Sequence, residues 1–252
     1  MLSNIWDLVL YKPLLNALGF LVSVVPGGDV GIAIIILTLF VKVVLFPLSQ
    51  RSIESQAKMN ELAPELKKIK ESGASKEEQA KQTFELYKTT KTNPFSGCLL
   101  VLIQLPIIFA LYYVFLKGLS FDGGLMYSFI KIPEQINMNF LGLFDIQAKK
   151  ILVLAILAGI SQFLQAYFMP KPKENKTTEK GSFQETFAKS MQTQMKYVFP
   201  FVVAFISYSL SGAVALYWIT SNLFAVGQQI YANKKSLKTK TLNLNKEGGL
   251  IK

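Results

Sequence analysis

Residues Gly31 to Leu48 read GIAIIILTLFVKVVLFPL, an apolar run of membrane-spanning length that holds one charge, Lys42. A helix of about twenty apolar residues crosses a hydrocarbon core roughly 30 Å thick. A lysine at mid-bilayer costs roughly 2.5 to 3.5 kcal/mol on insertion scales, so its ammonium should face water or a polar partner and mark a functional site. The alternative is that it snorkels, with its stem in lipid and its head among the headgroups. Arg51 is the first clear interfacial charge beyond it, and a straight helix at about 1.5 Å per residue sets Lys42 about 13 Å deeper.

Outward from this run the composition gives the class. Hydrophobic residues make up 51% of the chain and are gathered into blocks, with positive mean hydropathy, which is the pattern of an all-α polytopic membrane protein. The net charge of +11 could point to nucleic acid, but the lysines lie between the apolar blocks, where the positive-inside rule accounts for them. No recognition of a specific nucleic-acid sequence is expected, although the basic tail could touch ribosomal RNA. The chain has no histidine, which excludes Ser-His and Cys-His nucleophile pairs and two-histidine zinc sites. Its one cysteine, Cys98, can form neither an internal disulfide nor a cysteine zinc cluster. A serine-lysine hydrolase around Lys42 lacks any accompanying serine motif. Enzymatic activity, a metal and a cofactor are therefore not expected.

Five spans are read, at about 28–50, 94–116, 150–169, 196–210 and 213–231. Asn93 and Pro94 look like an N-cap and a first helical residue for the second. Residues 118–147 carry Gly, Pro and Asn breakers and read as a loop with short amphipathic pieces. The lysine-rich stretch 171–180 reads as a flexible connector, followed by a helix with Phe187, Met191 and Met195 on one face. Tyr197 to Tyr231 as one straight helix would measure about 50 Å, too long for the bilayer core, so Ser211 and Gly212 are read as the turn between two short spans. Short spans imply a locally thin membrane.

Basic residues concentrate between spans one and two, in the connector and in the tail 233–252, so those segments and the carboxyl terminus are assigned to the cytoplasm. Residues 1–27 and the loop at 118–149 then fall outside. Lys149 and Lys150, at the outer end of span three, run against the rule. Residues Ile5 to Val25 are interrupted by Asp7, Lys12, Pro13 and Asn16, and read as an amphipathic helix on the outer surface rather than a sixth span. Between spans one and two, Met59, Leu62, Leu66 and Ile69 recur at helical spacing, as do Ala80, Phe84 and Tyr87, with Ser72 to Ala74 between them. Ser75 and Glu78 match a capping box, and the pattern predicts an antiparallel helical hairpin over 51–92. The spans also carry Thr38, Gln104, Gln162, Gln165, Asn222 and Gln228. Such groups often only bond neighbouring helices, but with Lys42 they are numerous enough to line a hydrated concavity.

Three strings, TLFVKVVLFPL at Thr38 to Leu48, NPFSGCLLVLIQLPIIFALYYV at Asn93 to Val114 and LSGAVALYWITSNLFAVGQQ at Leu210 to Gln229, closely resemble signatures of the YidC family of membrane protein insertases. They occur in the family's order, and the likeness covers nearly the whole chain from about residue 8. The resemblance implies a five-span insertase core with a groove open to cytoplasm and lipid and sealed toward the outside. It implies no cofactor. In the family an arginine of span one stands in that groove, and Lys42 occupies the corresponding position. The groove set implied here is Lys42, Thr38, Gln104, Gln165, Tyr217, Trp218 and Asn222. Asn93, Pro94, Gly97, Pro106, Tyr112 and Gly212 match the structural positions of the second and third signatures. Lysine in place of arginine gives a compact charge that can lose its proton, and Leu210 and Ser211 stand where the family usually has a proline and a small residue.

The function so implied is that of an insertase and chaperone acting on nascent membrane proteins. Short hydrophilic segments would cross by the groove while apolar segments leave into the lipid bilayer, alone or with the Sec translocon. The hairpin and the basic tail would meet the ribosome or Sec. Transfer of apolar segments out of water supplies the driving force, and no phosphate-binding loop is present. The competing classes are a small-solute transporter, for which inverted repeats are missing, and an assembly factor without insertion activity.

Overall fold

The structure is a computed structural model in which residues 6–92, 96–116, 125–130, 136–169, 190 and 193–248 are described. By packing the chain divides into two compact units, Met1–Leu45 with Leu102–Tyr167 and Met191–Ala225, and Phe46–Val101 with Phe168–Ser190 and Val226–Lys252.

In the first unit a π-helical turn, Asp7–Tyr11, leads into α1, Lys12–Val24, with Pro13 in its first turn, where a missing N–H costs nothing. Gly27 takes φ +73° in the Pro26–Gly28 turn, and Asp29 then caps α2, Val30–Val44, its Oδ1 accepting from the Ile32 N–H at 3.0 Å. Leu15, Leu18 and Val22 of α1 bury against Ala33, Ile34 and Leu37 of α2. Asp7–Val24 is the one stretch, among the described residues, that is straight, long and apolar enough to cross a membrane. The helices at spans one, three and four are shorter, with 15, 17 and 11 residues.

The apolar run that was read as one span to about residue 50 is broken. Helix α2 stops at Val44, Leu45 sits at φ −83° and ψ −4°, and α3 begins afresh as Phe46–Glu61. Pro47 is the cause, since it has no N–H for the Val43 carbonyl and its ring crowds the preceding turn. The straight-helix count from Arg51 to Lys42 therefore does not hold. Lys42 lies in the last turn of α2, where a cation also complements the helix dipole.

The rest of this unit comprises the described part of α6, Ser96–Leu116, from residue 102 on, the loop 136–150, α7, Leu152–Phe168, a π-helical turn Gln194–Val198, α8, Phe199–Ser209, and the start of α9, Gly212–Gly248. Ile107, Leu111, Val114, Ile146, Leu154 and Ala213 to Tyr217 complete its core. Helix α7 lies within the stretch 150–169, and the break between α8 and α9 falls at Leu210 and Ser211, one residue before the Ser211–Gly212 turn read from the sequence, with Gly212 already the first residue of α9. The loop differs from expectation, because Asn139–Phe140 and Phe144–Asp145 pair antiparallel, Asn139 with Asp145 and Phe140 with Phe144. The three-residue turn between these strands, β1 and β2, places Leu141 at φ +53° and Gly142 at +71°, both left-handed. Leucine at the first of these is outside the Asn-Gly code by which such turns are read.

This loop straps the helix ends with backbone bonds. The Val30 N–H donates to the Asn137 carbonyl (3.0 Å), Ala213 to Ile146 (3.0 Å), Gly212 to Ala148 (3.1 Å) and Lys150 to Tyr208 (2.9 Å). Asp29 Oδ2 accepts from the Leu141 N–H at 2.8 Å, and Ile146 is fully buried. Outside the core, α7 leaves Val153, Ile156, Ile160 and Tyr167 exposed and α8 leaves Phe201 and Phe205 exposed, apolar faces that a soluble protein would bury.

In the second unit α3 ends at Glu61, Leu62 bends the chain ahead of Pro64, and α4, Ala63–Glu71, follows, so the helical stripe from Met59 to Ile69 is interrupted. Gly73, at φ +70°, turns the chain toward α5, Lys76–Thr89, which packs on α4. Ser75 Oγ accepts from the Glu78 N–H at 3.2 Å, the predicted cap. Phe84 stays exposed. Ser49 Oγ and Gln228 Oε1 are 3.0 Å apart, and Lys235 pairs with Glu54 at 3.0 Å. The Asn93–Pro94 cap and the face formed by Phe187, Met191 and Met195 fall wholly or mainly outside the described residues.

Candidate functional site

Three helices of the first unit converge at Lys42. Its half-buried ammonium donates to Gln104 Oε1 of α6 at 3.2 Å, and Gln104 Nε2 donates to the buried Tyr217 hydroxyl of α9. Among the described residues no carboxylate comes within 4 Å of Lys42. The cation is thus met by a neutral amide, which orients it without cancelling its charge. Gln104 uses both ends, oxygen toward the lysine and nitrogen toward the phenol, so its rotamer is fixed by two different partners. Pro106 lies two residues on, inside α6, and removes one helical hydrogen bond there.

Beside this chain of polar groups lies a cavity of about 190 Å³, lined on α6 by Ile108, Phe109, Leu111 and Tyr112, on α8 by Ile206, and on α9 by Val214, Tyr217 and Trp218. Tyr217 belongs to both, its hydroxyl to the polar chain and its ring to the apolar wall. The cation is thus connected, through Gln104 and Tyr217, to the wall of an apolar cavity that Lys42 does not itself line.

The other sequence-derived residues fall in different places. Thr38 is buried and its hydroxyl donates to the Ile34 carbonyl at 2.7 Å, a bond within its own helix. Asn222 Nδ2 donates to Ser161 Oγ at 3.1 Å and to Gln162 Oε1 at 3.2 Å, clasping α7 to α9. Gln165 is half-buried one turn further along α7. Gln228 belongs to the second unit, where it bonds Ser49 and the Phe46 carbonyl. Gly212 is tightly packed, since a Cβ there would stand 2.7 Å from Ile151 Cδ1 and 3.2 Å from Ile146 Cα. Gly97 lies in the first turn of α6, and Asn93 and Pro94 are outside the described residues. Sequence reasoning missed the apolar lining, Ile108, Phe109, Ile206 and Val214, because nothing separates a cavity wall from a lipid face in a uniformly apolar span. It also missed Ser161, the hydroxyl partner of Asn222.

The family model described as 60Kd inner membrane protein matches residues 21–240. Among curated proteins, the membrane protein insertase YidC of Fusobacterium nucleatum is 34% identical over 229 residues, covering 90% of this chain and 98% of that protein. The YidC of Clostridium tetani is 34% identical over 216 residues, 84% of this chain and 86% of its own length. The YidC of Jannaschia sp. is 35% identical over 238 residues, and there the chain spans 35% of the relative's length. A solved YidC insertase with its first transmembrane domain resolved aligns with 79% of this chain and 40% of its own, at 21% identity and a TM-score of 0.44.

Proposed function

The chain belongs to the 60Kd inner membrane protein family, and from that premise we propose that it inserts membrane proteins into the bacterial cytoplasmic membrane. Substrates are nascent membrane proteins. A short hydrophilic segment enters from the cytoplasm, its carboxylates pair transiently with Lys42, and the adjoining apolar segment passes along the apolar walls into lipid. The observation that carries this reading is the Lys42–Gln104–Tyr217 chain, a cation held by neutral partners beside an apolar cavity. A cation already paired with a carboxylate would have little left for a substrate, whereas a neutral amide leaves most of its field available.

The reading extends to topology. Helices α2, α6, α7, α8 and the first part of α9 are the five spans, with α4 and α5 and the basic tail in the cytoplasm, where they meet the ribosome and, for some substrates, the Sec translocon. Helix α1 lies on the outer surface. Asn16, near the middle of the stretch 7–24, donates to the Leu125 carbonyl at 3.0 Å and accepts from the Tyr127 N–H at 2.6 Å. Irregular backbone is not tolerated at mid-bilayer against lipid, so a helix whose midpoint is bonded to a loop is better accommodated at the membrane surface.

Reconstitution into liposomes tests the proposal. Single-span substrates with short acidic tails become protected from external protease, and no solute flux accompanies the protein. Flux without protection would assign the chain to the transporters, and neither would leave an assembly factor.

A further inference from the structure

Lys196 occupies the last turn of the π-helical segment Gln194–Val198, and its ammonium lies 5.2 Å from the centroid of the Tyr167 ring and 5.1 Å from that of Tyr197. Phe163 joins the cluster, its ring 6.3 Å from that of Tyr167 and 6.5 Å from that of Tyr197. Two aromatic faces within about 6 Å attract a cation electrostatically, but they take up none of its three N–H donors as an oxygen would. Among the described residues no carboxylate lies within 4 Å of this ammonium. Both tyrosines remain about half exposed, Tyr167 at 48% and Tyr197 at 55%. The cation is thus placed over two aromatic rings, with no hydrogen-bond acceptor for its ammonium among the described residues.

The position of the cluster along the helices suggests the ligand. At one end of the α7–α8 pair the Lys150 N–H bonds the Tyr208 carbonyl, and further along a Cβ on Gly159 would stand 3.0 Å from the Pro200 carbonyl oxygen, so the helices pack closely. Tyr167 and Lys196 close the opposite end. The 17 residues of α7 rise about 25 Å, close to a hydrocarbon thickness, so the cluster stands at headgroup depth of the leaflet opposite the strap loop. Below it on α8, Phe201 and Phe205 continue the face of Tyr197 at helical spacing and are 77% and 70% exposed.

We propose that Lys196, gripped between Tyr167 and Tyr197, binds the phosphate of an anionic phospholipid whose acyl chain lies along Phe201 and Phe205. The phosphate accepts from the ammonium, and the exposed phenyl rings supply the apolar lane that a lipid requires and a free phosphate or acidic peptide does not. This rests on the membrane-spanning reading of α7 and α8 and not on insertion activity.

The test uses the full-length protein in nanodiscs of zwitterionic lipid doped with a photoactivatable phosphatidylglycerol, followed by mapping of the labelled peptides. A headgroup probe labels the Tyr167 and Lys196 peptides. Lys196→Gln lowers this labelling about fivefold, one lysine's share of attraction to an anionic surface, and Lys196→Arg retains it. Equal labelling by the zwitterionic analogue, or no change in Lys196→Gln, overturns the site. Competition by inorganic phosphate or by an acidic peptide overturns the assignment to lipid. An acyl-chain probe labels Phe201 and Phe205 in every variant; if it does so while the headgroup probe shows no preference, the lipid site alone fails, and if it does not, the spanning reading fails with it.

Discussion

Lys42→Gln removes the charge at the candidate site and keeps a side chain that can still donate to Gln104 Oε1, which lies 3.2 Å from the ammonium. Two magnitudes decide the outcome. A substrate carboxylate 4 Å from the ammonium gains about 4 kcal/mol at an effective dielectric near 20, while a carboxylate at mid-bilayer costs roughly 2.5 to 3.5 kcal/mol. The terms nearly cancel, so one acidic residue is close to free for the native protein and bears most of its cost in the variant. At 1.36 kcal/mol per decade, and with part of the attraction lost to water and counter-ions, translocation of a tail with one aspartate should slow about ten- to a hundredfold. A neutral tail of the same length should be unaffected, and Lys42→Arg should behave like the native chain. The assay is protease protection of single-span substrates carrying zero, one or two aspartates, in liposomes that contain the variant. If Lys42→Gln slows all three tails equally, Lys42 holds the fold and not the substrate, and the electrostatic argument fails.

Gly212→Val brings a side chain against Ile151 Cδ1, 2.7 Å from where its Cβ must stand; overpacking of this kind costs about 1 to 3 kcal/mol, and an unchanged melting temperature in detergent would contradict the packing. Asn222→Leu breaks two bonds, to Ser161 and Gln162, each worth about 0.6 kcal/mol between membrane helices, so thermal stability falls by a few degrees while the tail-charge dependence of insertion stays as in the native chain. Glu54 sits below its ordinary carboxylate value of 4.5, chiefly through the hydrogen bond from Gln50 and then that from Lys235. A depressed carboxylate stabilises the folded form above its unfolded pKa and loses that contribution as pH falls through the lowered one. Protection of the amides at residues 46–61, corrected for the intrinsic pH dependence of exchange, should therefore hold at neutral pH and fall below about pH 4.5, and Glu54→Gln should remove that fall.

The sequence was most legible where one residue type admits one geometry. Ser75 before Glu78 matched a cap, and its hydroxyl caps α5, while Ser211 with Gly212 marked a turn that the structure makes one residue earlier, at Leu210 and Ser211. Lys42 stood out because a cation in an apolar run requires an explanation, and its partner Gln104 was one of six polar candidates without a rule to rank them. What stayed hidden depends on contacts between distant segments. Pro47 was in plain view, yet hydropathy across Gly31 to Leu48 outweighed it, and the break at Leu45 followed. The β1–β2 hairpin escaped because its left-handed leucine owes its conformation to the Asp29 carboxylate holding the Leu141 N–H, an interaction spanning 112 positions. Thr38, which bonds within its own helix, and Asn222, which clasps α7 to α9, look the same in sequence as Gln104, which meets the lysine. Only the partner tells them apart.

The strap loop bears on why the charge chain should work in one direction. Its bonds to Val30, Gly212 and Ala213 are backbone to backbone, so they survive side-chain variation and leave few polar groups free to lead water inward. Ile146 fills the space between them with no exposed surface. The break at Leu210 and Ser211 would otherwise present orphan helix-end groups. Instead, the Gly212 and Ala213 N–H groups at the start of α9 are taken up by the strap, and the Tyr208 carbonyl at the end of α8 by the Lys150 N–H. Lys42 lies at the other end of α2, two residues before its last residue, Val44. On the proposed insertase reading, Lys42 near one end of α2 and the buried Ile146 under the strap at the other would make an asymmetric path, one that draws in an acidic tail without leaking ions. Ile146→Gly should accordingly raise proton leak in empty liposomes without altering the tail-charge dependence of insertion, and liposomes that remain tight would show that the strap's backbone bonds seal without the plug.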